Sequence, residues 1–437
     1  MTIQKIHDLF LKCSQVSIDT RKIESNSFFV AIKGERFDAN TFAKEALEKG
    51  AKYVVIDNDD YYIDDRTILV NDSLIALQEL AKFHRQFLKL PIIALTGSNG
   101  KTTTKELINV VLSKKFNTKA TVGNLNNHIG VPLTLLSFNA ETQIGIVEMG
   151  ANHQKEIEFL CEIAQPEYGY ITNFGKAHLE GFGGVEGVIK GKSEMYAFLK
   201  ANDKTVFVNL DDTIQNDKTR DFRRITFSEK DKETNVFIDE VTANPFVKIK
   251  TLGVEINSHL IGLYNANNIN AAITIGHNLE VPINDIKAAI ESYIPENNRS
   301  QLLTKGSNEI ILDAYNANPS SMLVALENFI QLETRGAAER SGAKANKCII
   351  IGDMYELGAE SQAEHKAIVT FLNLNSSFEC HFVGKDFFAN SMRNEHFHFY
   401  NTFEEFTHYL SSVKLQNKTI LIKGSRGMAL ERTLEYL

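Results

Sequence analysis

Residues 96–104 read Thr96-Gly97-Ser98-Asn99-Gly100-Lys101-Thr102-Thr103-Thr104. An apolar run, Pro91-Ile92-Ile93-Ala94-Leu95, precedes them, and Lys105 to Leu112 follow with apolar residues at helical spacing. Strand, glycine loop and helix in that order form the setting of a phosphate-binding loop. A run apolar on every position reads as a buried parallel strand, which demands an α/β sheet around it. Gly97 and Gly100 let the backbone turn tightly and present N–H groups to phosphate oxygens. The helix N-terminus adds positive potential and Lys101 a full charge. Thr102 follows the lysine, where a hydroxyl can hold Mg²⁺. The loop is shorter than the standard Walker loop.

A chain of 437 residues is too long for one core, so two or three domains are expected. Its 47 basic and 55 acidic residues give a net charge of −8. That balance speaks against nucleic acid or an anionic membrane as main partner and leaves a small anionic ligand open. Cys13, Cys161, Cys348 and Cys380 are scattered without CxxC or zinc-ligand spacing, as reduced thiols of a cytoplasmic protein would be. The first residues carry no apolar signal core, and no apolar run reaches the length of a membrane helix.

Residues 1–89 read as mixed α/β, with strands at 27–32 and 52–56 and helices at 41–49 and 73–87. Before the first strand stands Ser17-Ile18-Asp19-Thr20-Arg21. Its arginine beside hydroxyls could take a phosphate or pyrophosphate, or the turn could close on itself as a solvated charge pair. The polar stretch Lys33 to Asp38 is open to the same two readings.

Residues 90–294 hold most of the polar loops. Gly123 to Thr134 packs amides, Asn126 and Asn127 among them, into a short loop that suits a polar ligand or a plain turn. Gln143 to Gly150 is a strand ending on Glu148, where a Walker B acid would hold Mg²⁺. The strand Tyr168 to Asn173 runs into a glycine-rich loop carrying His178, which favours a metal or phosphate role. Val188 to Tyr196 reads as a helix whose Lys190 and Lys192 form a solvated face. Asp217 to Ile261 reads as a mostly β extension, and Asn265 and Asn268 then open a helix, to read a base edge or to cap it.

Residues 295–437 alternate apolar strands, at 310–312, 348–351, 381–383 and 419–422, with helical patterns. That is a parallel sheet of dinucleotide-fold type without G-x-G-x-x-G. Polar sets at Asp313 to Pro319, Gly352 to Met354 and Lys423 to Gly427 should line one sheet edge and face a ligand. The polar stretch from Thr334 to Asn346 reads as a flexible loop.

Together, T-G-S-N-G-K-T-T-T-K from Thr96, G-N-L-N-N-H-I-G-V-P-L-T from Gly123, D-A-Y-N-A-N-P-S-S-M from Asp313, G-D-M-Y-E-L-G from Gly352 and K-G-S-R-G-M from Lys423 resemble the Mur ligases. These are ATP-dependent amide-bond-forming enzymes of peptidoglycan synthesis, and the resemblance covers nearly the whole chain. It implies three α/β domains: 1–89 for a UDP-sugar, 90–294 with a P-loop ATPase-type parallel sheet, and 295–437 with a Rossmann-like sheet. The Y-N-A-N-P form implies ligation of D-alanyl-D-alanine to UDP-N-acetylmuramoyl-tripeptide. Folylpolyglutamate synthases and the tripeptide-forming ligases carry other sequences there. A bare P-loop ATPase or kinase would account for Lys101 and Glu148 and leave the C-terminal motifs idle.

The resemblance also assigns roles. Gly97, Ser98, Asn99, Gly100, Lys101, Thr102 and Thr103 would hold ATP phosphates. Thr102 and Glu148 would bind one Mg²⁺, and His178 would help bind a second. Lys192 falls where the family carries a carbamylated lysine, an anion able to ligate Mg²⁺. Asn265, Asn268, Arg299 and Asp313 match positions that contact adenosine or phosphates, and Ser17, Asp19, Thr20 and Arg21 match the UDP-binding region. Asn126, Asn127, Tyr315, Asn316 and Asn318 fall in the substrate motifs, and Lys101, Lys192 and His178 would be catalytic. A monomer is expected. The chain departs from the family at Thr20 for serine, Tyr264 for histidine, Leu312 for the first acid of an acid pair, and Asn298 for the glycine before Arg299.

Overall fold

The computed structural model describes residues 1–296, 298–332 and 346–437. The stretch expected as a loop from Thr334 lies almost wholly outside them.

The strand before the glycine loop, Ile92–Thr96, is buried at all five positions. It sits inside a nine-stranded sheet. Ile144–Glu148 pairs on one side of it and Tyr168–Ile171 on the other, both parallel. Thr118–Ala120 lies outside the first of these, and Thr205–Asn209 and Arg223–Ser228 outside the second. The chain therefore reverses its direction of travel across the sheet beside Ile92–Thr96. Ligands bind at such switch points, beyond the carboxyl ends of the strands. The expected β extension follows: Val236–Ala243 continues the sheet, and Phe246–Thr251 and Val254–Ile261 add antiparallel strands.

The first part of the chain forms a four-stranded parallel sheet of Val16–Ser17, Ser27–Val30, Ala51–Ile56 and Thr67–Leu69. Lys33–Gly34 and Phe37–Asp38 make an exposed hairpin. The helix Ser73–Leu88 follows, started by Asp72, whose carboxylate accepts from Ile75 N. It fastens this sheet to the central one. Arg85, 6% exposed, donates to the Ala164 and Gln165 carbonyls and pairs with Glu167 at 2.7 Å.

The last part is a six-stranded sheet in the order Gln301–Lys305, Asn308–Asp313, Thr419–Lys423, Lys347–Gly352, Glu379–Val383, Phe397–Tyr400. The first pair is antiparallel and the rest parallel. Buried apolar residues of all three sheets join one contiguous core, from Phe28 through Ala94 to Ile349. Among the described residues no helix is long and apolar enough to cross a membrane.

Two sequence readings are corrected. Lys192 was expected on a solvated helix face, yet it is 1% exposed within Val185–Ala201. Gly187 and Gly191 lie four residues apart on that helix. A Cβ added there would lie 1.8 Å from the Phe182 carbonyl and 2.4 Å from the Phe182 ring, respectively. The helix thus presses directly onto Phe182 and carries Lys192 under it, while Lys190 stays in water. Asp353 was expected to face a ligand, but its carboxylate accepts from Asp386 N and Phe387 N at 3.0 and 2.9 Å. It caps a neighbouring helix turn of its own sheet and does not reach the cavity described next.

Candidate active site

A cavity of about 800 Å³ opens at the switch point, between the central sheet and the edge of the C-terminal one. The glycine loop forms its floor through Ser98, Asn99, Gly100, Lys101, Thr102 and Thr103. Gly97 lies beneath, with φ of +142°, and a Cβ there would meet Thr172 Oγ1 at 2.0 Å. Gly100 has φ of +77° and is backed by Asn268, whose Oδ1 would lie 2.5 Å from an added Cβ. Both glycines are therefore required by close approach as well as by conformation. The next strand end holds the loop from the side. Asn173 accepts Asn99 N through its Oδ1 and donates to Asn99 O, while Thr172 Oγ1 donates to the same carbonyl at 2.6 Å. Lys101 Nζ donates to Gly97 O at 2.8 Å.

Glu148, at the end of its strand, is 2% exposed and lines the same cavity. Asn126 Nδ2 donates to its Oε1 at 2.8 Å. Its Oε2 is buried without a hydrogen-bond partner among the described residues. A buried carboxylate oxygen without a donor is costly unless a cation meets it. Burial pushes the Lys101 ammonium below the ordinary lysine value, Glu148 opposes that shift, and Arg299 adds to it. Glu148 and Arg299, from two other stretches of the chain, thus both act on the Lys101 charge across the cavity.

His178 also lines the cavity, and its Nδ1 lies 2.5 Å from Glu356 Oε2 of the C-terminal part. Lys192 lies behind the wall, not on it. Its Nζ finds one acceptor, the Ala151 carbonyl at 3.3 Å, and sits 5.2 Å from the Phe182 ring centre. Burial, with the Lys101 charge second, holds it well below the ordinary lysine value. An amine so placed favours its neutral, nucleophilic form.

Asn265 and Asn268 reach the cavity, but their amides also brace the fold. Asn268 accepts from Thr104 Oγ1 and donates to Asn265 Oδ1, and Asn265 donates to Ile261 O. The C-terminal side brings Arg299, Asp313, Tyr315, Asn316 and Asn318 to the opposite wall. Arg299 stacks on Tyr315, 3.7 Å from the ring centre. Asp313 pairs with Lys423 at 2.5 Å, and Asn318 Nδ2 donates to Asn99 Oδ1 at 2.7 Å.

Asn126 and Asn127 line the cavity as well. The Ser17–Arg21 turn does not. Ser17 and Asp19 line a second cavity of about 720 Å³, where the first sheet meets Leu125, Leu133 and Phe138. Arg21 is turned back onto Asp19 in a two-pronged pair on the surface, and that bond holds the Asp19 carboxyl below the ordinary range. Lys423, expected to face a ligand, lines the cavity. Sequence reasoning gave no role to Asn173 or Glu356. Asn173 had a signal, a polar residue at a strand end. Glu356 stood only inside the motif from Gly352, because its partner is 178 residues away.

The chain matches the Mur ligase family catalytic domain over residues 12–85, the Mur ligase middle domain over 95–276 and the Mur ligase glutamate ligase domain over 298–426. It is 34% identical to the UDP-N-acetylmuramoyl-tripeptide--D-alanyl-D-alanine ligase of Escherichia coli K12, over 97% of this chain and 93% of that one. The enzyme of the same name from Bacillus subtilis is 32% identical, over 97% and 92%. A crystal structure of MurF from Acinetobacter baumannii superposes with a TM-score of 0.85 at 29% identity, covering 99% of this chain and 97% of that one. The three family matches and these relatives together span nearly all of the chain in which the glycine loop, the strand-end acid and the C-terminal sheet meet, and the chain belongs to the Mur ligase family.

Proposed function

We propose that the protein joins D-alanyl-D-alanine to UDP-N-acetylmuramoyl-tripeptide at the expense of ATP, through an acyl phosphate, giving UDP-N-acetylmuramoyl-pentapeptide for peptidoglycan synthesis. The observation that carries this reading is the single cavity in which a phosphate loop faces Arg299, Asp313 and the Tyr315–Asn318 motif. A nucleotide switch needs only the first of these. The named relatives cover almost the whole chain and support the same reading.

The residues present fit a divalent cation. Thr102 offers a hydroxyl, Glu148 an unpartnered buried oxygen, and His178 a ring nitrogen on the same cavity. We assign Mg²⁺ to them, with Lys192 as a carbamate behind. Bound there, Mg²⁺ would offset the charge of ATP phosphates as a carboxylate approaches. The glycine-loop amides and Lys101 grip the phosphates. The tripeptide carboxylate attacks the γ-phosphate, and ADP leaves. The free amine of D-alanyl-D-alanine then attacks the acyl phosphate carbonyl, loses a proton, and phosphate leaves. Arg299 and Lys423 are placed on the C-terminal wall to hold anionic groups during both displacements. Asn265 and Asn268 keep the loop in register beneath the nucleotide.

Ser17, Asp19, Thr20 and Arg21 are assigned to the UDP moiety. Ser17 and Asp19 on the second cavity support that placement, and the closed Asp19–Arg21 pair must open for Arg21 to take part. We propose domain limits at 1–89, 90–294 and 295–437, a division that the three larger sheets support. We place the enzyme in the cytoplasm as a monomer, and its four free cysteines accord with a reducing compartment.

The test is phosphate release from Mg²⁺-ATP with UDP-N-acetylmuramoyl-tripeptide, with and without D-alanyl-D-alanine, and the product weighed by mass spectrometry. The expected result is release that requires both substrates and a pentapeptide product. Release with neither present overturns the reading in favour of a plain ATPase.

A further inference from the structure

Two loops from different sheets meet at the rim of the cavity. The central sheet sends out the segment carrying His178, and the C-terminal sheet sends out the segment carrying Glu356. Both residues adopt left-handed backbone, with φ of +53° and +62°. Histidine tolerates that region moderately, and glutamate rarely enters it. Two residues on, Gly358 has φ of +55°, and a Cβ there would lie 3.1 Å from Glu180 Cβ. Glu180 N also donates to the Glu356 carbonyl at 3.4 Å. The backbone on each side is therefore bent and pressed together around one contact, Glu356 Oε2 to His178 Nδ1 at 2.5 Å.

Stability does not explain this arrangement. The Glu356 side chain is 54% exposed, and exposed ion pairs contribute little. Left-handed backbone in two side-chain-bearing residues opposes folding. Position does explain it. His178 Nδ1 is buried and makes no aligned hydrogen bond among the described residues, and the Glu356 carboxylate 2.5 Å away is the acceptor within reach of it. A catalytic hydrogen bond often tightens only when substrates bind, and a carboxylate drawn onto Nδ1–H sets the ring rotation and keeps Nε2 as the lone-pair nitrogen. His178 lines the cavity with Lys101 and Glu148, whereas the carboxylate that orients it comes from the C-terminal part.

We propose that Glu356 is a positioning residue for the ligation: by holding His178 Nδ1 it orients the ring in the central cavity, so that the site is complete only when the C-terminal sheet is seated. The inference rests on the ligase reading given above. A neighbouring contact supplies the control. Lys176 pairs with Glu364 at 2.6 Å across the same junction, and neither residue lines the cavity.

The experiment compares full-length wild type with Glu356→Ala, Glu356→Gln and Glu364→Ala, each first checked for an unchanged thermal unfolding midpoint. Histidine ring nitrogens are followed by long-range proton–nitrogen spectra, with His178→Gln to assign the signal. Steady-state rates are measured with Mg²⁺-ATP and both peptide substrates. We expect Glu356→Ala to lose the Nδ1–H signature of His178 and to lower kcat by about 10–100-fold with KM for the peptides little changed. Glu356→Gln, whose amide oxygen still accepts from Nδ1, restores the signature and most of the rate. Glu364→Ala leaves both as in wild type. The proposal is overturned if Glu356→Ala keeps its kcat, if its His178 spectrum is that of wild type, or if Glu364→Ala loses as much rate. A wild-type enzyme that makes no pentapeptide would sink the ligase reading instead, and the spectra would still decide whether Glu356 orients the ring.

Discussion

Asn318 and Asn99 are 219 residues apart in the chain, and the amide of the first donates to the amide oxygen of the second at 2.7 Å. Asn99 belongs to the phosphate loop and Asn318 to the C-terminal Tyr-Asn-Ala-Asn-Pro motif. Asn318 Oδ1 meanwhile accepts Ser321 N at 2.9 Å and caps the helix Pro319–Gln331. One side chain both starts a helix and touches the loop to which phosphate binding is assigned.

Those two duties separate by substitution. Asn318→Ser keeps a good helix cap and is too short to reach Asn99. Its unfolding free energy should stay near wild type while kcat falls. Asn318→Ala loses the cap too, and should cost about 1 kcal/mol of stability in urea unfolding. Equal rates in wild type and Asn318→Ser would show the bond to Asn99 to be idle.

Glu148→Gln keeps the shape and the bond to Asn126 and removes the unpartnered buried charge. The metal-free protein should melt at a higher temperature, because a buried carboxylate whose Oε2 has no hydrogen-bond donor has been neutralised. Activity should fall at least about tenfold and need more Mg²⁺. Binding of the UDP substrate, measured by calorimetry, should be nearly unchanged. An unaltered Mg²⁺ titration would remove Glu148 from the metal site.

Lys192→Met fills the same buried space without an amine. Wild-type protein kept in ¹³C-bicarbonate should show a carbamate carbon resonance that this variant lacks. The variant should lose most activity, and added bicarbonate should not restore it. A fully active Lys192→Met would end the carbamate assignment.

Two buried histidines tie the first sheet to the central one. His7 Nε2 lies 3.0 Å from His84 Nδ1, and His84 Nε2 lies 2.9 Å from the Phe138 carbonyl. The carbonyl must receive a proton from His84 Nε2, so a neutral His84 accepts from His7 Nε2–H. Burial, and then His84, lowers the His7 value to about 4, and burial lowers that of His84. Both are bases depressed on folding, so the unfolded chain binds more protons. Their stabilising effect is complete above the unfolded value of about 6.5 and is lost as pH falls toward about 4. Unfolding free energy should therefore decline across that window, and His7→Phe should flatten the decline. A pH profile identical in wild type and His7→Phe would refute the assignment.

Asn298 and Ser300 have φ of +58° and +49° on either side of Arg299, where the chain enters the last sheet. The family glycine is absent there, and asparagine is among the side chains that accept this region best. Asn298→Gly should leave stability and rate close to wild type. Asn298→Val should cost about 1–2 kcal/mol and misplace Arg299, seen as a raised KM for ATP. Equal effects of glycine and valine would mean that the backbone angle is unimportant.

Local chemistry was legible in residue order. The strand, glycine loop and helix at 92–112, the acid at Glu148, and most of the polar strand ends follow from neighbours in sequence, because helix and strand periods, glycine conformations and loop charges are properties of short stretches. Tyr264 illustrates the limit of that view. It stood only as a departure from family histidine, and folding sets its hydroxyl 2.8 Å from Ser300 Oγ, beside the entry to the last sheet. Short strands such as Gln301–Lys305 and Phe397–Tyr400 were missed, since partners across the sheet stabilise them more than their own pattern does. Lys192 looked solvated because a helix shows its period and not its neighbour, and only packing of Gly187 and Gly191 on Phe182 buried it. The sequence alone thus specified the glycine loop and the strand-end acid to which phosphate and metal binding are assigned. The meeting of Asn318 with Asn99, of Asp313 with Lys423 and of Glu356 with His178 was decided by tertiary structure, because burial and long-range contact depend on which surfaces the folded sheets bring face to face.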